Sequence, residues 1–198
     1  MSPGVIDYAE GVARWQPDAV GRLQDAAFTL FDEQGFDRTT VAEIAERAGL
    51  TKRTFFRYFA DKREVLFGGA KVLEELFVTA IAAAPAAAAP LDAMGAALDA
   101  VAGMFEERRA GASRRQQIIL ANPELQEREL IKLATLAAAV AGALRDRGVE
   151  EPAATLTAEA GVTIFRIAFG RWVEPANRKT LAQLQREALA ELRAVAAG

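Results

Sequence analysis

Alanine occupies 44 of the 198 positions of this chain, and that excess limits the folds open to it more than any other feature. Alanine has the highest helix propensity of the amino acids and is depleted in β-strands. Hydrophobic residues make up 52% of the sequence, but the alanine share means that the large side chains that fill a core are scarcer than this figure suggests. The composition therefore predicts an all-α protein, of a length that suits one large domain or two small ones.

Histidine and cysteine are both absent from the sequence, and this excludes several kinds of chemistry. No imidazole base, thiolate nucleophile, Cys/His zinc site or disulfide bond can form. A carboxylate site for Mg²⁺ or Ca²⁺ stays open, although no segment resembles an EF-hand loop. We therefore predict a protein that is not an enzyme, with no catalytic residues, no metal and no cofactor. A helical enzyme would have to use carboxylates, lysine or a bound metal ion.

The longest uncharged run of the chain, residues 76–91, has 16 residues and contains Pro85 and Pro90. A membrane-spanning helix needs about 20 unbroken apolar residues, so this run is too short. The N-terminal residues include acidic side chains and lack the apolar segment of a signal peptide. These features predict a cytoplasmic protein without a membrane partner.

Apolar residues recur at helical spacing along most of the chain, and Gly, Pro and N-cap residues divide them into nine helices, with no convincing strand and no internal repeat. The expected helices cover about residues 18–34, 41–48, 52–59, 62–84, 91–109, 113–121, 123–147 and 152–173, and a ninth follows Asn177 and ends near Val195. The strongest start signals are Thr40 with Glu43, which fit a capping box, and Asn122 before Pro123. We predict a loose tail over residues 1–16, one domain over 17–66 and a second domain over 67–198.

Residues 39–62, TTVAEIAERAGLTKRTFFRYFADK, predict two short helices joined by a tight turn at Gly49, which is the arrangement of a helix-turn-helix. In such a motif the second helix enters the major groove of DNA with its first residues at the bases. Residues 47–63 contain six basic side chains and one acidic, a net charge of +5 in a chain whose total is −3. On charge alone, a phosphate-binding surface and a solvated helix face are equally good interpretations.

The order of the residues favours the first interpretation, because residues 20–67 resemble the N-terminal domain of the TetR family of bacterial repressors. The matching residues are Thr40-Val41, Ile44-Ala45, Ala48-Gly49-Leu50-Thr51, Thr54-Phe55-Phe56, Tyr58-Phe59 and Lys62, preceded by Leu23-Gln24-Asp25-Ala26-Ala27, Phe31 and Gly35-Phe36. The resemblance implies a nine-helix, two-domain architecture, with an N-terminal three-helix DNA-binding domain and a C-terminal domain for ligand binding and dimerisation. It also places core residues at Val41, Ile44, Ala45, Ala48, Leu50, Phe55 and Phe59, and their helical spacing agrees.

The same resemblance implies a DNA-contacting role for Thr40, Thr51, Lys52, Arg53, Thr54, Phe56, Arg57, Tyr58 and Lys62. Arg53 is the candidate for reading guanine, since a guanidinium can pair bidentately with that base. Phe56 replaces the family's usual tyrosine and can contact a thymine methyl, whereas Tyr58 replaces the usual histidine and can offer its hydroxyl to a phosphate. Lys62, at the expected start of the fourth helix, should reach a phosphate. Arg57 is either a contact or a solvated side chain.

In the second half of the chain, residues 114–125 resemble a mycofactocin-type subgroup of the family, which implies an acyl-CoA-like or other hydrophobic effector. The candidate pocket residues are Met104, Phe105, Ile118, Ile119, Leu133, Leu136, Val140, Phe165, Arg166 and Phe169, and the alternative is that the apolar ones are ordinary core. Arg166 can anchor an acidic ligand group or pair with a carboxylate across a dimer interface. By family resemblance the dimer surface lies on the last two helices, at Ile164, Ile167, Trp172, Leu181, Leu184 and Leu189.

The sequence thus predicts a homodimeric repressor of transcription that binds a palindromic double-stranded DNA operator and is released by a small hydrophobic or acyl-CoA-like effector. A dimer is expected because one short recognition helix reads few bases, and a two-fold axis lets two helices read a palindrome. The open alternatives are an activator, a protein whose pocket takes no small molecule, and a helical scaffold whose helix-turn-helix no longer binds DNA.

Overall fold

The computed structural model of the chain describes residues 19–198, and the tail expected over residues 1–16 lies outside the described residues. The described part contains nine α-helices and no strand, which confirms the predicted all-α fold. The helices are α1 Ala19–Gln34, α2 Val41–Arg47, α3 Lys52–Tyr58, α4 Ala70–Ala83, α5 Pro90–Phe105, α6 Arg109–Leu120, α7 Pro123–Asp146, α8 Ala153–Val173 and α9 Leu181–Ala197, with a short 3₁₀ helix at Glu64–Phe67. The described part of the chain divides into two compact units, residues 19–65 and 66–198, which we call the N-terminal and C-terminal units.

A small core of aliphatic and aromatic side chains holds the N-terminal unit together. α1 buries Leu23, Ala27, Leu30 and Phe31, which recur with the spacing of one helix face. The buried side chains that α2, α3 and the residue after α3 add are Ile44, Ala45, Phe55 and Phe59. The rings of Phe31 and Phe36 lie 5.1 Å apart. α1 packs on α2 and α2 on α3, and this packing decides which face of α3 is left to solvent.

The prediction of a continuous fourth helix from residue 62 is wrong in its first two turns. α4 begins at Ala70, and the 3₁₀ helix lies before it. Residues 65–67 are all buried, and three successive side chains cannot share the single buried face of an amphipathic α-helix. Gly68-Gly69 then follows, and glycine lowers helix propensity. These two features delay the start of α4.

In the C-terminal unit, α8 packs against α5, α7 and α9. Gly161 of α8 lies so close to Met94 of α5 that a Cβ atom at this position would be 2.2 Å from the Met94 sulfur. Alanine allows similarly close helix packing elsewhere in this core, at Ala97, Ala137, Ala141, Ala158 and Ala168. The alanine excess of the sequence therefore serves both helix propensity and close helix packing.

Two helix boundaries in this unit also differ from the prediction. α5 ends at Phe105 rather than near residue 109, and α6 begins at Arg109 rather than near residue 113. The Arg109 guanidinium donates hydrogen bonds to the carbonyl oxygens of Glu174 at 2.8 Å and Asn177 at 2.9 Å. These partners lie more than 60 residues further along the chain. The contacts of Arg109 at the start of α6 therefore could not be predicted from the local sequence pattern.

Within residues 19–198, no helix is long and apolar enough to cross a membrane. In the same part of the chain, no three acidic side chains lie close enough together to hold a metal ion. Several described charged side chains instead form ion pairs at the surface, such as Lys179 with Glu187 at 2.7 Å.

Candidate nucleic-acid interface

Thr40 fixes the start of α2 through a capping box, which confirms the sequence prediction. The Thr40 hydroxyl accepts a hydrogen bond from the Glu43 backbone N–H at 3.3 Å, and the Glu43 carboxylate accepts one from the Thr40 backbone N–H at 2.8 Å. The same carboxylate accepts a hydrogen bond from the Thr40 hydroxyl at 2.7 Å. These hydrogen bonds lower the pKa of Glu43, the one from the Thr40 side chain most of all. Thr40 itself is exposed at the surface.

Gly49 makes the turn between α2 and α3. Its φ of +64° lies in the left-handed region that favours glycine. A Cβ atom at this position would also lie 2.8 Å from Arg22 Nη2, because the Arg22 guanidinium donates a hydrogen bond to the adjacent Ala48 carbonyl. The turn closes with a hydrogen bond of 2.8 Å from the Leu50 N–H to the Ala45 carbonyl. The backbone conformation therefore favours glycine, and the Arg22 side chain would have to shift to admit a Cβ atom.

α3 is a short helix that is anchored by its own cap and by two buried rings. Thr51 is the N-cap, and its hydroxyl accepts a hydrogen bond from the Thr54 backbone N–H at 3.1 Å. Phe55 and Phe59 are both buried, and their ring centres lie 5.5 Å apart. Since these rings take up the inner face of α3, the opposite face is left to solvent.

The outer face of α3 carries side chains that the sequence predicts to contact DNA. We call it the α3 surface; it consists of the exposed Thr51, Lys52, Arg53, Phe56, Arg57 and Tyr58 and the half-buried Thr54. Phe56 is 55% exposed, which leaves an apolar surface between the charges. The Lys52 and Arg53 side chains form no ion pair or hydrogen bond with any residue in the described part of the chain. Cations placed in this way can bind phosphate oxygens or base edges.

Arg57 and Tyr58 form a pair at the end of α3. Arg57 Nη2 donates a hydrogen bond of 2.7 Å to the Tyr58 hydroxyl oxygen, and the guanidinium carbon lies 4.7 Å from the centre of the Tyr58 ring. Because the hydroxyl accepts this bond, its own proton remains available for a phosphate oxygen. The sequence left Arg57 open between a contact and a solvated side chain, and the structure places its charge beside Tyr58 on the α3 surface.

The Lys62 side chain turns into the protein, which differs from the prediction. Its ammonium donates hydrogen bonds to the carbonyl oxygens of Phe36 at 2.7 Å, Asp37 at 3.1 Å and Thr39 at 3.0 Å. A lysine ammonium has three N–H donors, and these carbonyls use all three. Lys62 is also not at the N-terminus of α4, because α4 begins only at Ala70. A phosphate contact would therefore require the ammonium to leave at least one of these carbonyls.

The net charge of +5 over residues 47–63 overstates the charge that faces solvent. Arg47 pairs with Glu33 of α1 at 2.8 Å, and this hydrogen bond lowers the pKa of Glu33. Arg63 pairs with Asp61 at 2.8 Å. With Lys62 also held internally, the cations of the α3 surface are Lys52, Arg53 and Arg57. Charge counting along the sequence missed Glu33, because it lies 14 residues before Arg47 and meets it only in the folded chain.

The pocket residues predicted from the sequence lie in the C-terminal unit, and most are interior. Ile118, Ile119, Leu136, Val140, Phe165 and Phe169 are buried, whereas Met104, Phe105 and Leu133 are half-buried. Phe105, Phe165, Phe169 and Trp172 form what we call the aromatic cluster, in which contacting ring centres lie between 5.3 and 6.1 Å apart. Arg166 is exposed on the outer side of α8, apart from the buried candidates, and its contact with a ligand or with a dimer partner stays a prediction. Effector contact by the others stays a prediction.

Most of the residues predicted for the dimer surface are buried within their own chain, namely Ile164, Trp172, Leu181, Leu184 and Leu189. They belong to the core of the C-terminal unit, so their assignment to a dimer surface is wrong. Ile167, the sixth, is 47% exposed. It lies on an outer line of α8 with Leu156, Ala160 and Thr163, spaced by three or four residues, which we call the α8 stripe. The helical period could have separated the α8 stripe from the buried face of α8. The prediction instead grouped large apolar residues without separating the faces.

A capped helix, a glycine turn and a second helix with a cationic outer face define the N-terminal unit as a helix-turn-helix DNA-binding domain. The family described as bacterial regulatory proteins, tetR family, matches residues 23–67, and the MftR C-terminal domain matches residues 88–197. The chain belongs to the TetR family of bacterial transcriptional regulators. Members of this family bind DNA and regulate transcription, and the relatives of this chain are regulators rather than enzymes, as the sequence predicted.

Two curated relatives show this relationship at the level of sequence. The HTH-type transcriptional regulator TcmR of Streptomyces glaucescens is 44% identical over 81 residues, which make up 41% of this chain and 36% of TcmR. MftR, a regulator assigned to mycofactocin biosynthesis in Mycobacterium tuberculosis, is 30% identical over 115 residues, which make up 58% of each chain. The matches therefore span less than two thirds of either relative.

Solved structures show the same fold. FadR of Bacillus subtilis, in complex with stearoyl-CoA, matches with a TM-score of 0.59 and 19% identity over 87% of this chain and 96% of FadR. SmeT, the repressor of the Stenotrophomonas maltophilia multidrug efflux pump SmeDEF, matches with a TM-score of 0.56 and 22% identity over 89% of both chains. At these identities the likeness concerns the fold alone, and it confirms an N-terminal helix-turn-helix followed by a helical C-terminal domain.

Proposed function

We propose that this chain is a repressor that binds a palindromic operator as a homodimer and is released by a small hydrophobic or acyl-CoA-like effector. The observation that carries the proposal is the α3 surface, where Lys52 and Arg53 are exposed and have no partner in the described part of the chain. A DNA backbone attracts such cations, and a guanine edge accepts hydrogen bonds from arginine. Repression rather than activation follows the usual mode of the family.

Different side chains of the helix-turn-helix contact the bases and the phosphate backbone of the DNA. Arg53 reads a guanine through a bidentate contact, and the exposed ring of Phe56 packs on a thymine methyl. The backbone contacts are made by Thr40, Thr51, Lys52, Thr54, Arg57 and Tyr58. Base contacts then set the sequence preference, whereas phosphate contacts set the register on the duplex and the salt dependence.

The homodimer forms through the α8 stripe. Leu156 and Ile167 are large apolar side chains that are 64% and 47% exposed, and burying them against a second copy is favourable. Ala160 and Thr163, which lie between them, are small enough for two helices to approach closely. A two-fold axis through this contact supplies the two copies of α3 that a palindrome requires.

The effector binds in the C-terminal unit, whose sequence matches the MftR C-terminal domain. The apolar candidate residues of this unit are buried or half-buried, which suits a hydrophobic molecule. The stearoyl-CoA bound to the structurally similar FadR supports an acyl-CoA-like molecule. To act as an inducer, the effector must bind the DNA-free conformation of the protein more tightly than the DNA-bound one. Equal affinity for both would not shift the equilibrium between them.

The test measures binding of the full chain to labelled DNA from upstream of its own gene, by fluorescence anisotropy. We expect the upstream fragment to bind an even number of protomers, to bind more tightly than unrelated DNA, and to be released by stearoyl-CoA. Arg53→Ala should lose the preference for the upstream fragment, whereas Arg178→Ala, which removes an exposed arginine before α9, should keep it. Equal affinity of the wild type for both fragments would contradict the proposal, and binding without release by stearoyl-CoA would contradict its acyl-CoA part.

A further inference from the structure

Gln185 is buried in the C-terminal unit without a hydrogen-bond partner. It lies on the inner face of α9, and only 1% of the residue is exposed. Neither Nε2 nor Oε1 of its side chain has a partner among residues 19–198. Taking an amide out of water without replacing its hydrogen bonds is costly, and buried polar groups in folded proteins are nearly always satisfied. The amide of Gln185 therefore calls for a partner that is not part of the described chain.

The packing of α9 on α5 locates Gln185 along the bundle. Arg186 Nε lies 2.9 Å from Asp99 Oδ1. A Cβ atom on Gly95, one turn before Asp99, would lie 3.1 Å from Leu189 of α9. The two helices are therefore antiparallel. Gln185 of α9, next to Arg186, lies beside the C-terminal half of α5, which ends at Phe105 of the aromatic cluster.

The packing of α9 on α8 gives the same location. These two helices pack together and are joined by residues 174–180. Gln185 is the fifth residue of α9, and Phe169 is the fifth residue from the end of α8. In an antiparallel hairpin these positions lie at the same level, so the amide is set at the level of the aromatic cluster.

The rings of the aromatic cluster contact one another in the geometry that a ligand ring would adopt beside them. The Phe169 ring lies 5.3 Å from that of Phe105 at 71°, and 5.7 Å from that of Trp172 at 52°. Tilted and edge-to-face contacts of this kind are the favourable arrangements between aromatic rings. Phe105 is half-buried, so the cluster reaches the surface at the end of α5.

The polarity of this interior favours a neutral ligand. In the described part of the C-terminal unit, the buried polar residues are Thr157 and Gln185, and no charged side chain is buried with them. A charged group placed here would have no counter-charge and would be strongly disfavoured. A hydroxyl group is matched by Gln185, because a carboxamide offers both an acceptor oxygen and a donor N–H₂.

We infer that the Gln185 carboxamide is the hydrogen-bonding anchor of the effector site, and that the effector is a neutral aromatic molecule with a hydroxyl group. The inference rests on the proposed function and selects the small hydrophobic molecule, rather than the acyl-CoA-like one, from its two effector classes. On binding, the ligand hydroxyl donates to Gln185 Oε1 or accepts from Nε2, and the ligand ring packs in the aromatic cluster. An enclosed water molecule is the other partner that could satisfy the amide, and the test separates the two.

The test uses the full chain and three probes that differ in one substituent: 2-naphthol, 2-methylnaphthalene and 2-naphthoate. Isothermal titration calorimetry should show that the wild type binds 2-naphthol about tenfold more tightly than either of the others. Gln185→Leu keeps the size of the side chain and removes both polar groups. It should abolish the preference and raise Tm by about 2–4 °C, since it removes an unsatisfied buried amide. Gln117→Leu, on the exposed side of α6, is the matched control and should change neither the preference for 2-naphthol nor Tm.

No probe binding by the wild type, as expected if water satisfies the amide, or an unchanged preference in Gln185→Leu would overturn the inference. If Gln185→Leu fails to fold, the assigned side-chain N–H₂ signals of Gln185 in ¹⁵N NMR spectra of the wild type decide instead: they should shift with 2-naphthol and not with 2-methylnaphthalene. Binding to the upstream DNA is measured on the same samples. A wild type that binds DNA but no probe refutes the inference alone, and one that binds 2-naphthol but no DNA refutes the proposed function.

Discussion

The Lys62 ammonium lies 2.7 Å from the Phe36 carbonyl oxygen and 4.3 Å from the centre of the Phe36 ring. Together with its hydrogen bonds to the carbonyls of Asp37 at 3.1 Å and Thr39 at 3.0 Å, it closes the segment between α1 and α2. This segment leads directly into Thr40, the N-cap of α2. Lys62 therefore stabilises the start of the helix-turn-helix from within the fold.

Lys62→Met should lower the free energy of unfolding by about 1–3 kcal/mol, because it leaves carbonyl groups without their charged donor. The salt dependence of DNA binding should keep its wild-type slope at a temperature where the variant is folded. Lys52→Met is the matched control: it should leave stability unchanged and reduce the slope by about 1, since it removes one phosphate contact. Circular dichroism melts and anisotropy titrations at several salt concentrations measure the two effects. A shallower slope with unchanged stability for Lys62→Met would show that its ammonium binds phosphate.

Arg53→Ala should cost about 1–3 kcal/mol of operator binding and relax the preference at one base pair of each half-site. Arg53→Lys should recover part of the affinity without the base preference, because an ammonium cannot make the bidentate contact. Selection from a randomised half-site library reads out the preference at each position. If Arg53→Ala weakened binding to all sequences equally, Arg53 would be a phosphate contact rather than a base reader.

Gly49→Ala should destabilise the N-terminal unit by more than Gly35→Ala. Both glycines have positive φ, +64° and +84°, so alanine at either costs about 1–2 kcal/mol. At Gly49 the new Cβ would also meet Arg22 at 2.8 Å, whereas nothing lies within 4 Å of the corresponding atom at Gly35. Chemical denaturation gives the difference between the two variants, and equal losses would show that Arg22 moves aside without cost.

Gly161→Ala should destabilise the C-terminal unit by about 1–3 kcal/mol, because its Cβ would lie 2.2 Å from the Met94 sulfur and the core would be overpacked. Gly103→Ala, in α5, meets nothing within 4 Å and should stabilise by up to about 1 kcal/mol through helix propensity. Thermal melts of both variants test the close approach of α8 to α5. If Gly161→Ala left the melting temperature unchanged, Met94 would have room to rearrange.

Ile167→Glu should convert the proposed homodimer into a monomer, because it places a charge in the α8 stripe. Leu120→Glu, at a 61% exposed position on α6, is the control and should remain dimeric. Light scattering coupled to size-exclusion chromatography gives the mass of each variant. A dimer that persists in Ile167→Glu would place the subunit contact elsewhere on the molecule.

The local geometry of the DNA-binding domain could be predicted from the sequence, because it depends on residues close together in the chain. The capping box of Thr40 and Glu43 spans one helical turn, and the Gly49 turn follows directly from a break in the apolar pattern. The apolar spacing likewise predicted the number of helices in the described part of the chain. Short-range signals of this kind hold because tertiary packing here agrees with them.

Features that depend on distant residues could not be predicted in this way. The carbonyl partners of Lys62 lie 23 to 26 residues before it, and no sequence pattern links them. The pairing of Arg47 with Glu33 removes a charge that a count along the chain assigns to the DNA-facing surface. On α8, Ile164 is buried and Ile167 is exposed. The helical period puts the two side chains on different faces, but the packing of the neighbouring helices decides which of these faces is the buried one.

Hydroxyl-radical footprinting of the full chain on its upstream DNA tests the central claim most directly, namely that the α3 surfaces of a two-fold dimer read an operator. We expect two protected segments of related sequence, with centres about one helical turn or a multiple of it apart. Arg53→Ala should lose this protection at concentrations where it still binds DNA. Uniform protection of the whole fragment by the wild type, or none at concentrations where it binds DNA, would contradict the account.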